Sequence, residues 1–511
     1  MGGPEQPAEL LIGPDTTVRD AVMRYPGIEA VFERHGMGGC GGANGPVEPI
    51  GFFARVHQVD PPQLLRDLND YAAGRTTAAS IPLMAKRPER KVELYVLGVG
   101  AAIVLTLLAG LPMGILAALG GPRDIGLGTR WTPLVQAHGH LQLMGWMGLF
   151  LAGVAFYVLP RFKQTELRYP YLARPAIGLI AAGLAIRTIS QPYSDHDWVA
   201  GLMVASAVVE MAGIACFVAV VAGTLLGSRR KNYDWYLLAA CGWLAASAAA
   251  NLVVVAEIAL DGQSVIASAK DGPLLTMKLY GFIALFIFGV SIRILPHFMS
   301  LRPPSVRWFV PALVLYNAGL IARVLSGWAA AYSSWTKPDE LEALGVYAMA
   351  TGVVAFALAL KLHLPARRDE EGEAERGHVK IIRTAYAWLA VAVVIEIWVA
   401  TRSLGTWSPD FLQAGVARHA LALGFATGML MGVGSRTLPT FAGRTLHSRL
   451  LLDISFWMLN VAVFTRVGSA LFAVGAVSSR FDHIAASGAL TFLALALFAY
   501  NIGRSVLGRV R

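Results

Sequence analysis

The stretch QAHGHLQLMGWMGLFLAGVAFYVLPRF, residues 136–162, decides the fold, because the chain repeats its frame twice. The second copy, KLYGFIALFIFGVSIRILPHF, covers residues 278–298, and the third, RHALALGFATGMLMGVGSRTLPTF, covers residues 418–441. Each copy ends in a Leu-Pro pair, and successive prolines are 136 and 143 residues apart, at Pro160, Pro296 and Pro439. The membrane part is therefore predicted to consist of three copies of one unit.

The repeated frame also aligns polar and glycine positions. Twenty residues before the three prolines stand His140, Thr276 and His419, and five residues further on stand Gly145, Gly281 and Gly424. Histidines of the first and third copies are therefore predicted to lie at equivalent depths in their spans.

The composition is that of an integral membrane protein. Of 511 residues, 55% are hydrophobic and 15% are charged, whereas soluble domains contain about 25% charged residues. The net charge of +10 is spread over short loops, so it indicates orientation in a lipid membrane and no nucleic-acid partner. Three cysteines without a CxxC pair form no disulfide framework. The polar start of the chain does not resemble a cleaved signal peptide.

Twelve apolar stretches are long enough to cross a hydrocarbon core of about 30 Å. Four stretches per copy place the repeated frame on spans 2, 6 and 10. The predicted fold is an all-α polytopic membrane protein of three four-helix pseudo-repeats, preceded by a small soluble helical domain. The predicted spans are 93–119, 133–160, 172–191, 198–227, 234–260, 273–297, 307–331, 341–363, 380–401, 411–438, 450–476 and 482–507.

Residues 1–76 are predicted to form the helical domain, residues 77–92 a linker, and residues 93–511 the membrane domain. Within the first, His35 and Cys40 are the closely spaced pair of metal- or thiol-type side chains. We weigh two alternatives equally: the pair has a redox or iron-linked role, or Cys40 is a loop cysteine without a role.

Loop charges predict the orientation. Loops after even-numbered spans are rich in lysine and arginine, as at Arg229, Arg230 and Lys231, and loops after odd-numbered spans are poorer. The positive-inside rule therefore places both termini in the cytoplasm, and the histidines of spans 2 and 10 near the outer face.

Three histidines are candidate metal ligands: His138, His140 and His419. A single membrane histidine is most simply a helix-packing residue, but two at matching depth favour a shared six-coordinate haem iron or part of a copper site. His138 and His140 point about 200° apart on a helix. We therefore expect one of them to share a ligand set with His419.

Arginines repeat with the same spacing in spans 3, 7 and 11, at Arg187, Arg323 and Arg466. Arginine at membrane depth requires an anion or carbonyl groups. Haem propionates would supply the anion, and membrane carboxylates or helix-end carbonyls are the equal alternative. Glu210, Glu257 and Glu396 are such carboxylates, and we favour pairing with arginine over proton movement for them.

Two resemblances add to this interpretation of the membrane part. Span 2, with AHGH at 137–140, resembles helix II of subunit I of haem–copper oxidases and nitric oxide reductases. Span 10 and its tail, RHALALGFATGMLMGVGSRTLPTFAGR, resemble the NnrS family, which is linked to nitric oxide metabolism. The oxidase resemblance implies a low-spin haem held by His138 and His419. Span 7 lacks the histidine pair of the oxidase copper site, so no oxygen-reducing centre is implied.

The N-terminal domain has its own resemblance. Residues 15–75, with TTVRDAVMRYPGIEAVFERHGMGGCGG and LLRDLNDYA, resemble the N-terminal domain of ScdA-type iron-centre repair proteins.

Together these features predict a haem protein of the bacterial cytoplasmic membrane, acting in the nitric oxide response or in electron transfer with a redox partner. The expected cofactor is haem b, with copper as a further candidate and His140 as an alternative ligand. Two alternatives stay open, namely a nitric oxide reductase-like oxidoreductase with a non-standard metal site, and a solute transporter without haem. The oligomeric state is left open.

Overall fold

A computed structural model describes residues 11–37, 48–56, 59–83, 93–123, 126–333, 338–364, 376–405, 407, 409–472 and 477–508. Its contacts divide the chain into two compact units. One comprises Met1–Lys91, Ser435–His447 and Asn501–Arg511, and the other comprises Val92–Gly434 and Ser448–Tyr500.

The N-terminal segment is helical, as predicted, with helices Val18–Arg24, Glu29–Arg34, Ile50–Val56 and Pro61–Ala72. Thr17 caps the first helix by accepting a hydrogen bond from the backbone N–H of Asp20 at 3.0 Å. Leu64 and Leu68 of the last helix are fully buried in a small apolar core. Cys40 lies outside the described residues, so both alternatives for His35 and Cys40 stay predictions.

The described part of the chain contains twelve helices long and apolar enough to cross a membrane, and no β-strand. The prediction of an all-α polytopic fold is confirmed. The spans, numbered in chain order, are Leu94–Gly121, Gly128–Lys163, Pro170–Tyr193, Asp197–Leu226, Asn232–Leu260, Ser268–Phe298, Val306–Tyr332, Pro338–Leu360, Gly377–Ser403, Val416–Phe441, Arg449–Leu471 and Ser479–Leu507.

Spans 2, 6 and 10 form the centre of the membrane body. The most apolar window is 89% buried in span 2 and 72% buried in spans 6 and 10, against 28–56% in the other nine spans. The outer spans present apolar side chains where lipid would contact them. The repeated frame therefore marks the three inner helices.

The three inner helices share an irregular backbone feature. Each contains an eight-residue π-helical segment that begins directly after His140, Thr276 or His419, and each segment contacts the other two. A π-helical turn inserts one extra residue and redirects the side chains around it, and such turns are frequent at functional sites. The segments are Leu141–Gly148, Met277–Ala284 and Ala420–Thr427.

A contact between a glycine and a tryptophan also repeats, in the second and third copies. Gly281 packs on Trp243 of span 5, and the Trp243 indole N–H donates to Asn317 at 2.8 Å. In the same way Gly424 packs on Trp388 of span 9, which donates to Asn460 at 2.9 Å. The repeated glycines thus allow an indole to lie directly against the π-helical backbone.

Candidate functional site

A cavity of about 1120 Å³ lies within the unit formed by residues 92–434 and 448–500. Side chains of spans 1, 2 and 6 to 12 line it, and they include both His138 and His419. Histidines 281 residues apart in the sequence therefore meet in one chamber.

A backbone carbonyl sets the tautomer of His138. Its Nδ1–H donates to the carbonyl oxygen of Gly110 at 2.7 Å. Gly110 ends the short π-helical segment Thr106–Gly110 of span 1. With the proton on Nδ1, the neutral ring leaves Nε2 with a free lone pair, and that is the atom through which imidazole binds a metal.

His419 has the same arrangement within its own helix. Its Nδ1–H donates to the carbonyl oxygen of Gly415, one turn earlier, at 2.8 Å. Its Nε2 is likewise left unprotonated in the neutral ring. The two cavity histidines therefore offer the same ligand atom.

His140 lies elsewhere, as the angular separation of the two histidines in span 2 predicts. It is 3% exposed and does not line the cavity. Its Nε2–H donates to Glu210 at 2.8 Å, and its Nδ1 accepts from the Lys278 ammonium at 2.9 Å. Both ring nitrogens are engaged by the protein, so the role of His140 as an alternative or copper ligand stays a prediction without geometric support.

The three repeated arginines have different surroundings. Arg187 is buried outside the cavity lining and donates to Gln191 at 3.0 Å and to Asn251 at 2.7 Å. Arg323 lines the cavity and pairs with Glu396 at 2.8 Å. These two arginines are thus held by protein groups.

Arg466 also lines the cavity, but its buried Nη1 has no hydrogen-bond partner among the described residues. A buried guanidinium donor without an acceptor is costly. Arg466 is therefore the one of these three arginines with a buried donor that no described protein group satisfies.

Of the three membrane glutamates, only Glu396 lines the cavity. Glu396 also accepts a hydrogen bond from the Tyr280 hydroxyl. Glu210 pairs with His140, and Glu257 pairs with Lys270 at 2.7 Å. The glutamates therefore do not line one continuous path.

Arg418 was missed by the sequence analysis. It lines the cavity directly before His419, and Arg466 lines the same cavity. Among the residues that the structure describes, neither guanidinium forms a salt bridge with a carboxylate. The signal available in the sequence was a charged residue beside a candidate ligand in an apolar span.

The comparisons with known proteins agree with this architecture. The family model described as NnrS protein matches residues 93–511, most of the chain. The chain belongs to the NnrS family. The resemblance inferred from span 10 is therefore confirmed, although none of the curated proteins matches this NnrS chain.

Among solved structures, this NnrS protein is similar to a haem–copper terminal oxidase dimer determined by cryo-EM, with a TM-score of 0.63 and 10% identity. The match covers 82% of this chain and 84% of that one. At this identity the similarity shows a shared fold and no shared activity. It confirms the predicted relation to the fold of oxidase subunit I.

The residues around the cavity fit a haem. Among the described residues of this NnrS protein, no group of three or more His, Cys, Asp or Glu side chains is arranged to hold a metal ion. A haem requires only axial ligands from the protein, since the macrocycle supplies the others. Two free Nε2 atoms, an unpartnered guanidinium and a cavity larger than the usual ligand pocket of about 300–1,000 Å³ satisfy those requirements.

Proposed function

We propose that this NnrS protein binds one haem b in the cavity, with His138 and His419 as the axial ligands, and acts in membrane electron transfer or the nitric oxide response. One observation carries the proposal. Both imidazoles line the same cavity, and each commits its Nδ1–H to a backbone carbonyl at 2.7 or 2.8 Å. Metal-binding histidines are oriented by this kind of hydrogen bond.

The charges near the histidines support a dianionic ligand. Arg418 and Arg466 both line the cavity without a salt bridge to a described carboxylate. In a medium of low dielectric constant, two such cations are stabilised by nearby anions. The two propionates of a haem would supply these charges, with Arg418 and Arg466 as their partners.

The proposed ligand set also favours a class of function. A haem with two axial histidines has no open coordination position, and it supplies one-electron redox chemistry. The protein's part is to hold the two rings, exclude bulk water from the cavity and partner the propionates. A separate electron donor or acceptor is then required, and electron transfer or sensing is favoured over turnover of nitric oxide.

The proposed location is the bacterial cytoplasmic membrane, with both termini in the cytoplasm. Basic loops after the even-numbered spans support this orientation. His138 and His419 would then lie near the outer face, so a redox partner on that side would have the shorter path to the haem.

The test is the reduced-minus-oxidised absorption spectrum of the purified protein, produced with adequate haem supply. Sharp low-spin bands are expected in the parent protein. They should be lost in His138→Ala and in His419→Ala, and retained in the exposed-site control His483→Ala. A colourless parent protein would reject the haem and favour a transporter. Rapid nitric oxide consumption with added reductant would favour the reductase-like alternative.

A further inference from the structure

A buried polar array connects three membrane helices through the His140 ring. His140 of span 2 donates through Nε2–H to Glu210 of span 4 at 2.8 Å and accepts through Nδ1 from Lys278 of span 6 at 2.9 Å. The three residues are 3%, 3% and 4% exposed. A neutral imidazole therefore lies between an ammonium and a carboxylate, away from the cavity.

The array sits where the backbone of two inner helices becomes irregular. His140 directly precedes the π-helical segment of span 2, and Lys278 is the second residue of the corresponding segment of span 6. Hydrogen bonds to both edges of the ring hold His140 against spans 4 and 6. The rotation of span 2 about its own axis is therefore restricted at this level.

This restriction determines where His138 points. Residues two apart on a helix differ by about 200° in direction. Because spans 4 and 6 hold His140 on one side, His138 must project from the opposite side, where it enters the cavity. The two histidines of one helix thus have different tasks, one facing protein partners and the other facing the chamber.

We infer that Lys278 and Glu210 are positioning residues, which act through His140 to set the rotation of span 2 and so direct residue 138 into the cavity. Loss of Lys278 leaves the Nδ1 of His140 without its donor. A buried hydrogen-bonding group that loses its partner is unfavourable, and the His140 ring is then no longer held against span 6. Span 2 then relaxes by rotating or shifting.

The inference rests on the proposed function only in one respect, namely that His138 is directed into the cavity in order to hold the haem. Its test needs no haem. In a background with Cys40, Cys216 and Cys241 replaced by alanine, His138→Cys places a thiol at the reporter position. The rate at which a small maleimide labels this thiol measures access to the cavity. Ser403→Cys, on span 9 and also lining the cavity, is the reference for general access.

Lys278→Met is expected to slow the labelling of the position-138 thiol by about tenfold, the factor that corresponds to one lost hydrogen bond, with the labelling of the position-403 thiol unchanged. The matched control is Lys270→Met, which removes another lysine ion pair from the same span and should change neither rate. If Lys278→Met does not fold, the double variant Lys278→Met/Glu210→Gln removes both charges and is measured instead. Unchanged labelling at position 138 in the folded variant would overturn the inference.

The two proposals fail separately. Absent haem bands in the parent protein reject the proposed cofactor and leave the labelling result intact. Normal bands together with unchanged labelling reject the positioning role alone. With haem present, Lys278→Met should also shift the electron paramagnetic resonance spectrum of the oxidised haem, because the plane of the His138 ring changes, whereas Lys270→Met should not.

Discussion

Gly114 of span 1 lies directly against the imidazole of His138. A Cβ added at Gly114 would lie 2.5 Å from Cε1 and 2.8 Å from Nδ1 of that ring, well inside van der Waals contact. Gly114 therefore provides the space in which His138 donates to Gly110. The site depends on a missing side chain as well as on those present.

Gly114→Ala is expected to displace the His138 ring and weaken its bond to Gly110, since no rotation of a methyl group can relieve the overlap. Retention of haem during purification should fall, and the remaining bands should broaden. The measurement is the ratio of haem to protein. Gly100→Ala on the same span is the control, because its added Cβ meets nothing within 4 Å. Equal haem content in both variants would contradict the geometry.

Arg466→Met is expected to separate stability from cofactor binding. The buried Nη1 of Arg466 has no partner among the described residues, so its removal should stabilise the haem-free protein by about 1–3 kcal/mol. Haem affinity should fall, because a propionate loses its partner. Thermal unfolding of the haem-free form and haem titration give the two quantities. If Arg466→Met instead lowers the unfolding temperature of the haem-free protein, the Arg466 guanidinium already has hydrogen-bond partners within the protein.

Arg323→Met should behave in the opposite way. Arg323 pairs with Glu396 at 2.8 Å and lies over the Tyr280 ring, so its loss leaves a carboxylate that is only 12% exposed without its cationic partner. We expect a destabilisation of about 3–5 kcal/mol. Arg323→Met/Glu396→Gln removes both charges and should recover part of this loss. A double-mutant cycle on thermal stability measures the coupling between Arg323 and Glu396. If the effects of the two single substitutions simply add, the two side chains do not stabilise the protein as an ion pair.

Gly424→Ala is expected to destabilise the third repeat by about 1–3 kcal/mol. An added Cβ would lie 2.5 Å from the Trp388 ring and disturb the indole bond to Asn460. Gly281→Ala should have a similar effect through Trp243, since the contact repeats. Gly242→Ala, whose Cβ meets nothing within 4 Å, should leave the unfolding temperature unchanged. If only one of these two glycine variants lowers the unfolding temperature, the two glycine–tryptophan contacts do not contribute equally to stability.

Much of the architecture was determined by the sequence. Apolar length specified twelve spans, because only a helix satisfies its own backbone groups in a bilayer. The recurring Leu-Pro frame identified spans 2, 6 and 10 as equivalent, and burial shows that they are the inner helices. Matching depth indicated that one histidine of span 2 shares a site with His419, and the oxidase resemblance implied His138; the structure places His138 and His419 on one cavity.

Only the tertiary structure distinguished residues that the sequence presents as equal. His138 and His140 differ because Gly110, Glu210 and Lys278 approach span 2 from particular sides, and helix rotation is not encoded in local periodicity. The three repeated arginines differ for the same reason. Arg187 meets amides, Arg323 meets a carboxylate, and Arg466 meets neither among the described residues. Sequence spacing gives the depth of a residue in a membrane helix, but its chemistry depends on neighbours that only packing brings together.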